Sequence, residues 1–467
     1  MPTALTLHPD RALPSEPAAR ALARRIYSHT AALPIVSMHG HVEAQALADD
    51  APFGDPAALL VTPDHYVTRM LYSQGVPTHQ LGVGENPATA REIWRTFCNH
   101  WHLFRGTPSR YWLEHELVEV FGVSTAPSAE SADALFDQIS AVLADPGFRP
   151  RALLERFGIE LLATTDPAAS QLEHHAKLAA DGFGERVIPT FRPDAVTHPA
   201  RPGWASDVAL LGRAAGIDTG DYTGYLAALR QRRNAFVEAG ALATDHGHLA
   251  TDTTPLSPQQ ASSIYRNALD GELSAEAAEA FTGHMLFVMA QMSAEDGLVM
   301  QLHPGVLRDH HPGAAAALGP DRGWDIPVRT EFTRSLRPLL EQFGMDPAFR
   351  LILFTVDETT YSRELAPLAG VYSAVRLGAP WWFLDSPHAM RRFREAATET
   401  AGFYNTSGFV DDTRAYASIP ARHDLSRRID AGYLASLVLE HRLSEEEATE
   451  TALDLAYHLP KKAYARR

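Results

Sequence analysis

The chain has 467 residues, 45% of them hydrophobic and 21% charged, with 31 Gly and 32 Pro, a balance that excludes disorder and collagen-like repeats and suits one large barrel with an elaboration or about two to three domains. Its formal charge of −16 repels phosphate backbones and anionic headgroups, so neither nucleic acid nor a membrane surface is an expected partner. A single cysteine, Cys98, excludes an internal disulfide and a thiolate metal centre.

In chain order, residues 1–30 alternate Arg, Pro and Glu with short apolar pieces and lack a signal-peptide core. No run approaches the roughly 20 apolar residues that span a bilayer, and the expected location is the cytoplasm. The first short apolar run is Leu33 to Met38. Seven more follow: Ile159 to Thr165, Arg186 to Phe191, Ala239 to Thr244, Gly297 to Leu302, Arg350 to Thr355, Ala379 to Leu384 and Gly408 to Asp411. Runs of this length alternating with helical segments predict an α/β fold, a (β/α)8 TIM-like barrel.

About 120 residues separate the first two runs, far beyond an ordinary connection, so this gap must be structured. Thr62-Pro63 predicts the start of a helix closing near Gly75, and residues 90–121 carry aromatics at helical spacing. The gap therefore reads as a helical insertion over the barrel mouth, with aromatics that could serve as a contact surface. A helical extension begins near His423, with Ser444 and Glu447 as a capping box. The expected units are 1–41 (N-terminal segment and first strand), 42–150 (insertion), 151–422 (rest of the barrel) and 423–467 (C-terminal helices).

Barrel enzymes keep their chemistry at the carboxyl ends of the strands. Here every run closes on polar residues: His39-Gly40-His41, Thr165-Asp166, Arg192, Asp245-His246, His303, Asp357, Asp385 and Asp412-Thr413-Arg414. His39 and His41 share one face of an extended strand. Two imidazoles there supply half of a borderline-cation site, and Asp412, on the strand that closes beside the first, supplies an oxygen ligand. Asp412 is equally a candidate general base, or the cap of the next helix. Arg192 and Arg414 are forks suited to a carboxylate, with salt bridges to Asp194 or Asp412 the plainer alternative. Tyr66, beside His65 and Arg69 on the first insertion helix, could lend a phenol from above or serve in the core. Only three of the 41 basic residues are lysines, and none lies between 178 and 460, so a lysine-bridged metal pair and a Schiff base from this region are excluded.

These residues resemble the uronate isomerases, also called glucuronate isomerases, a divergent branch of the amidohydrolase superfamily. The resemblance runs nearly end to end, on PIVSMHGH (34–41), DHYVTR (64–69), ATTDP (163–167), IPTFRPD (188–194), TDHG (244–247), MQLHPGVLRD (300–309), PWWFLD (380–385) and DDTR (411–414). It implies that His39, His41 and Asp412 surround a metal and that Tyr66, Arg192, Asp245, His303 and Arg414 line a sugar site. The chain departs from the family pattern at Gly40, where Cys is usual, and at Val67-Thr68, where Lys-Trp is usual. It departs again around Val356-Asp357, in place of Leu-Asn, and in one acidic residue fewer on the second strand.

The expected activity is aldose–ketose isomerisation of hexuronates, D-glucuronate to D-fructuronate and also D-galacturonate to D-tagaturonate, through a cis-enediol. Asp412 is the candidate base, Tyr66 a proton donor or second acid/base, and the metal or Arg414 the electrophile, with Arg192 on the substrate carboxylate. The expected cofactor is one divalent metal, zinc ahead of manganese by the general affinity order, with no organic cofactor; a homo-oligomer is expected. The rival readings are a single-metal amidohydrolase-type hydrolase of a carboxylate-bearing ester, lactone or amide, and a sugar-acid binding protein without catalysis.

Overall fold

The computed structural model describes residues 3–320 and 322–466. Among the described residues there are eleven short strands: β1 (Ile35–Ser37), β2 (Ile159–Ala163), β3 (Asp166–Pro167), β4 (Val187–Ile188), β5 (Phe191–Arg192), β6 (Ala243–His248), β7 (Val299–Pro304), β8 (Val306–Leu307), β9 (Ile326–Pro327), β10 (Leu351–Leu353) and β11 (Val375–Leu377). Parallel pairing runs β1-β2-β4 in one sheet and β11-β10-β7-β6-β5-β3 in another, while β8 and β9 form an antiparallel ribbon. Because β2 and β3 follow each other along the chain, as do β4 and β5, the two sheets are one curved surface.

The ring closes through residues 405–413. Leu377 N donates to Asn405 O (2.9 Å) and Ser407 N to Leu377 O (2.8 Å). On the other side Asp412 N donates to His39 O (3.1 Å) and His41 N to Thr413 O (2.8 Å). The eighth barrel segment thus touches the seventh strand at one end and the first at the other. Gly408 (φ 75°), with Pro460 packed against its Cα, interrupts it, which is why the strand expected at 408–411 is an irregular connector.

Three more expectations shift for local reasons. The strand read at 239–244 lies at Ala243–His248, since the preceding helix runs to Glu238 and Gly240 (φ 93°) makes the exit turn. The run read at 379–384 is no strand: pairing is made by Val375–Leu377, and Trp382–Leu384 is a 3-10 turn beyond Pro380, which has no N–H to offer a ladder. The helix expected to open at Thr62-Pro63 opens instead at His65, capped by the Asp64 side chain on Tyr66 N (2.8 Å), and ends at Tyr72; an aspartate cap places Tyr66 in the first turn.

Alternation along the strands separates two faces. Met300, Leu302, Leu351, Leu353, Val375 and Leu377 face the helix layer. Val36, Ala243, Val299, Ile352 and Phe354 face inward, and Tyr464 OH donates to Gln301 Oε1 (2.7 Å) there. The insertion has its own core of Leu60, Trp94, Phe97, Phe104, Leu117 and Ile139, while Tyr111 and Phe136 are only half-buried. The helix Ile419–Leu439 starts before the expected extension boundary at His423 and packs, with the capped helix Glu445–Leu453, on the N-terminal helix Pro17–Thr30. No helix among the described residues is long and apolar enough to cross a membrane.

Candidate active site

The backbone clamp between the first strand and residues 412–413 gathers His39, His41 and Asp412. Asp412 Oδ1 lies 3.2 Å from His41 Nε2 and 3.4 Å from His39 Nε2. One nitrogen or oxygen from each of the three lies within 4.8 Å of the others. Asp412 holds a left-handed backbone conformation (φ 45°), which aspartate tolerates better than most residues.

His39 is buried, and both its ring nitrogens lack an aligned hydrogen-bond partner among the described residues. Burial lowers the His41 imidazole despite Asp412, keeping a lone pair on its ring. Burial would raise the Asp412 carboxyl, but His39 and His41 outweigh it and hold the group well below the ordinary carboxylate range. Two imidazoles and one ionised carboxylate with unpartnered nitrogen are a donor set that fits a divalent cation.

A second carboxylate organises the other wall. Asp245 is fully buried on β6, with Oδ1 2.8 Å from His303 Nε2 and 3.8 Å from His39 Nδ1, and Oδ2 3.3 Å from Arg192 Nη1. Burial would raise it, but His303, Arg192 and His39 hold it well below the ordinary range. Arg192 is also held by Asp194, Nε to Oδ2 at 2.9 Å, and Asp194 accepts from Gly247 N. The salt-bridge alternative for Arg192 is therefore present in the fold. A side chain at Gly247 would meet His303 at 2.8 Å, Asp194 at 3.0 Å and Arg192 at 3.1 Å, so glycine there lets the three groups converge.

Tyr66 reaches the region from the insertion. Its hydroxyl is buried without a partner among the described residues; burial, opposed by Arg422 and reinforced by Asp412, raises its pKa well above the ordinary phenol value. Arg414 is exposed, near enough to His41 for its charge to lower that imidazole, and lines a cavity of about 50 Å³ with His65, Arg69, Tyr72, Arg322 and Trp324. The structure thus brings His39, His41, Asp412, Asp245, His303 and Arg192 into one group, with Tyr66 above it and Arg414 at the entrance.

Several participants were not singled out from sequence. The Trp381 ring lies 5.2 Å from that of His39 and 4.8 Å from that of His303; the run that holds it looked like strand core. Arg422, 1% exposed, donates to Asp385 Oδ2 (2.8 Å) and Asp411 O (3.1 Å), with its guanidinium 3.8 Å from the Trp112 ring centroid and 5.5 Å from that of Tyr66. Burial pushes Asp385 up to about 7 despite Arg422. His423 Nε2 pairs with Asp411 Oδ2 (3.0 Å). An arginine inside a helix carries no sequence signal of its own; only the strand-end position of Asp385 pointed this way.

Residues 18–464 match the family described as glucuronate isomerase. The chain is 56% identical over 460 residues to a uronate isomerase of Rhizorhabdus wittichii, covering 98% of both, and 53% identical to one of Phenylobacterium zucineum, covering 98% and 97%. Its fold is similar to the crystal structure of glucuronate isomerase from Caulobacter crescentus (TM-score 0.97, 49% identity, 99% and 97% covered). It is also similar to that of uronate isomerase from Thermotoga maritima (TM-score 0.92, 28% identity, 98% and 100% covered). The chain belongs to the glucuronate isomerase family.

Proposed function

We propose that this chain interconverts aldehyde and keto hexuronates, D-glucuronate with D-fructuronate and D-galacturonate with D-tagaturonate, moving a proton between C2 and C1. The observation that carries the reading is the convergence of an ionised carboxylate, Asp412, and two histidines with Tyr66 and Arg192 at one barrel rim, in a chain of this family. Family membership favours this over the hydrolase and the non-catalytic binder. The lysine absent from 178–460 argues against the hydrolase as well.

His39, His41 and Asp412 would hold one divalent metal, zinc ahead of manganese by affinity order, which polarises a substrate oxygen when bound. Asp412, ionised, is the proton acceptor; Tyr66, kept protonated by burial, is the donor to an oxygen. Arg192 binds the substrate carboxylate while Asp194 and Asp245 fix its orientation. His303 and Asp245 form the wall of the sugar site, Asp245 acting through His39, His303 and Arg192 because no part of it is exposed. Arg414, at the entrance, draws in the anion and contributes positive charge to the oxyanion.

The chain would act in the cytoplasm as a homo-oligomer. Leu307 and Ile326, paired on the β8–β9 ribbon and 40% and 45% exposed, offer an apolar contact for the latter. Turnover of both uronates before and after chelation, with solvent deuterium traced into product, tests the function. Deuterium at C1 of the ketose and loss of turnover on chelation support it; release of acid from a lactone or ester panel without uronate turnover would establish the hydrolase.

A further inference from the structure

We propose that Asp194, His246 and His248 form a second divalent-cation site of the zinc type, at the carboxyl end of β6 and separate from the His39-His41-Asp412 set. The inference goes beyond the isomerase reading and does not rest on it.

The strand supplies the geometry. Within Ala243–His248, Asp245 and Gly247 turn toward His303, so the side chains at 244, 246 and 248 point the other way. His246 and His248 are 1% and 6% exposed, and Asp194, on the turn after β5, is 7% exposed. One ligand atom from each of these three lies within 4.8 Å of the others.

Hydrogen bonds then assign the ring nitrogens. His198 Nδ1 lies 2.7 Å from the Asp194 carbonyl oxygen, which can only accept, so His198 carries its proton on Nδ1. In that tautomer His198 Nε2 accepts from His248 Nδ1, 3.2 Å away. His248 is left with a bare lone pair on Nε2, which is buried and has no partner among the described residues. His246 places Nε2 on the Thr244 hydroxyl (2.9 Å), and its Nδ1 is likewise buried and without a partner. Metal-ligating histidines hold their second nitrogen in this way, on a carbonyl, hydroxyl or neighbouring polar group that fixes the tautomer. The Asp194 carboxylate accepts from Gly247 N and Arg192 Nε, and its two oxygens have lone pairs to spare for a cation. Two imidazoles and one carboxylate are a zinc-type set, whereas a purely structural histidine pair would leave two costly unpaired nitrogens in the core.

Metal-depleted protein is titrated with Zn²⁺ alone, desalted and counted by elemental analysis, and Co²⁺ spectra are recorded in parallel. Wild type is expected to retain two equivalents per chain, His248→Gln one, His41→Asn one, and the double variant none, with circular dichroism reporting the fold. Retention by His248→Gln of as many equivalents as wild type, or no tightly held equivalent in His41→Asn, overturns the proposal. If His248→Gln does not fold, His41→Asn decides alone: one tightly held equivalent supports the second site and none refutes it.

Discussion

Asp245→Asn is the substitution that tests the architecture of the site most directly. The carboxylate is fully buried and meets His303 at 2.8 Å, Arg192 at 3.3 Å and His39 at 3.8 Å. Asparagine keeps the volume but removes the charge and turns an NH2 toward groups that are themselves donors. Breaking a buried ion pair by removing one charge costs about 3–5 kcal/mol, so the substitution is expected to lower kcat/KM by roughly 10²–10³-fold. Loosening the group beside the far nitrogen of His39 should lower metal affinity about 10–100-fold, as outer-shell substitutions do. Arg192 keeps Asp194, 2.9 Å away, so the fold should survive. The assay is ketose formation from D-glucuronate at rising zinc concentration, with circular dichroism as control. A variant whose kcat/KM stays within about threefold of wild type, with unchanged zinc affinity, would refute the idea that Asp245 holds the two walls together.

Asp412→Asn should fold, because asparagine also accepts the left-handed conformation at that position, yet lose turnover by at least about 10³-fold; wild-type kcat would reject Asp412 as proton acceptor. For Arg192→Met, KM should rise by roughly 10–100-fold and the melting temperature should fall as Asp194 and Asp245 lose their guanidinium; an unchanged KM moves the carboxylate site elsewhere. Gly40 has an ordinary backbone, and an added Cβ would meet Asp411 Oδ1 only at 3.5 Å and Thr413 O at 3.6 Å, so Gly40→Ala should raise stability by about 0.4–1 kcal/mol, and a drop in melting temperature would show hidden crowding. His284 accepts from Leu256 N at Nδ1 and meets Tyr222 OH at Nε2, and burial lowers it to about 4. Its folded value lies below the unfolded one of about 6.5, so its contribution is whole above that pH and lost as pH falls toward 4. Proton uptake on acid unfolding should accordingly shrink by one in His284→Gln, and an unchanged uptake contradicts this.

The barrel was legible wherever a strand is apolar on both faces. Val299–Leu302 and Leu351–Leu353 sit inside the runs read from sequence because both faces are buried, one against helices and one against the barrel interior, and Ile159–Ala163 does so with only Glu160 and Leu161 part-exposed. Legibility failed where position is decided by something other than hydrophobicity. The polar stretch 245–248 is strand because it pairs residue for residue with 301–304, a tertiary constraint absent from local pattern. Trp381 and Trp382 are site wall and turn, since Pro380 and the left-handed Trp382 (φ 50°) end the pairing. His39, His41, His303 and both arginines singled out at strand ends fall on the rim, yet strand-end position alone could not separate Arg192, tied to two buried carboxylates, from Arg414, which is exposed.

The same limit explains the floor beneath Tyr66. Arg422 is the last residue of the stretch read as barrel, on a helix whose remainder reads as C-terminal extension, yet its guanidinium is 3.8 Å from the Trp112 ring centroid and bonds Asp385 and the Asp411 carbonyl. One buried cation therefore ties the insertion, the seventh barrel connection and the eighth segment to a single point. Breaking such a buried pair costs about 3–5 kcal/mol, because the orphaned charge stays in the core. The insertion is thereby fixed to the rim by a charged anchor in addition to its apolar packing. Tyr66, whose ring lies 5.5 Å from that guanidinium and 5.5 Å from the Trp112 ring, takes its position over Asp412 from this anchor. A phenol delivered from outside the barrel can act on a proton held inside it only if the two are kept in register, and Arg422 is the side chain that bonds or stacks on both parts.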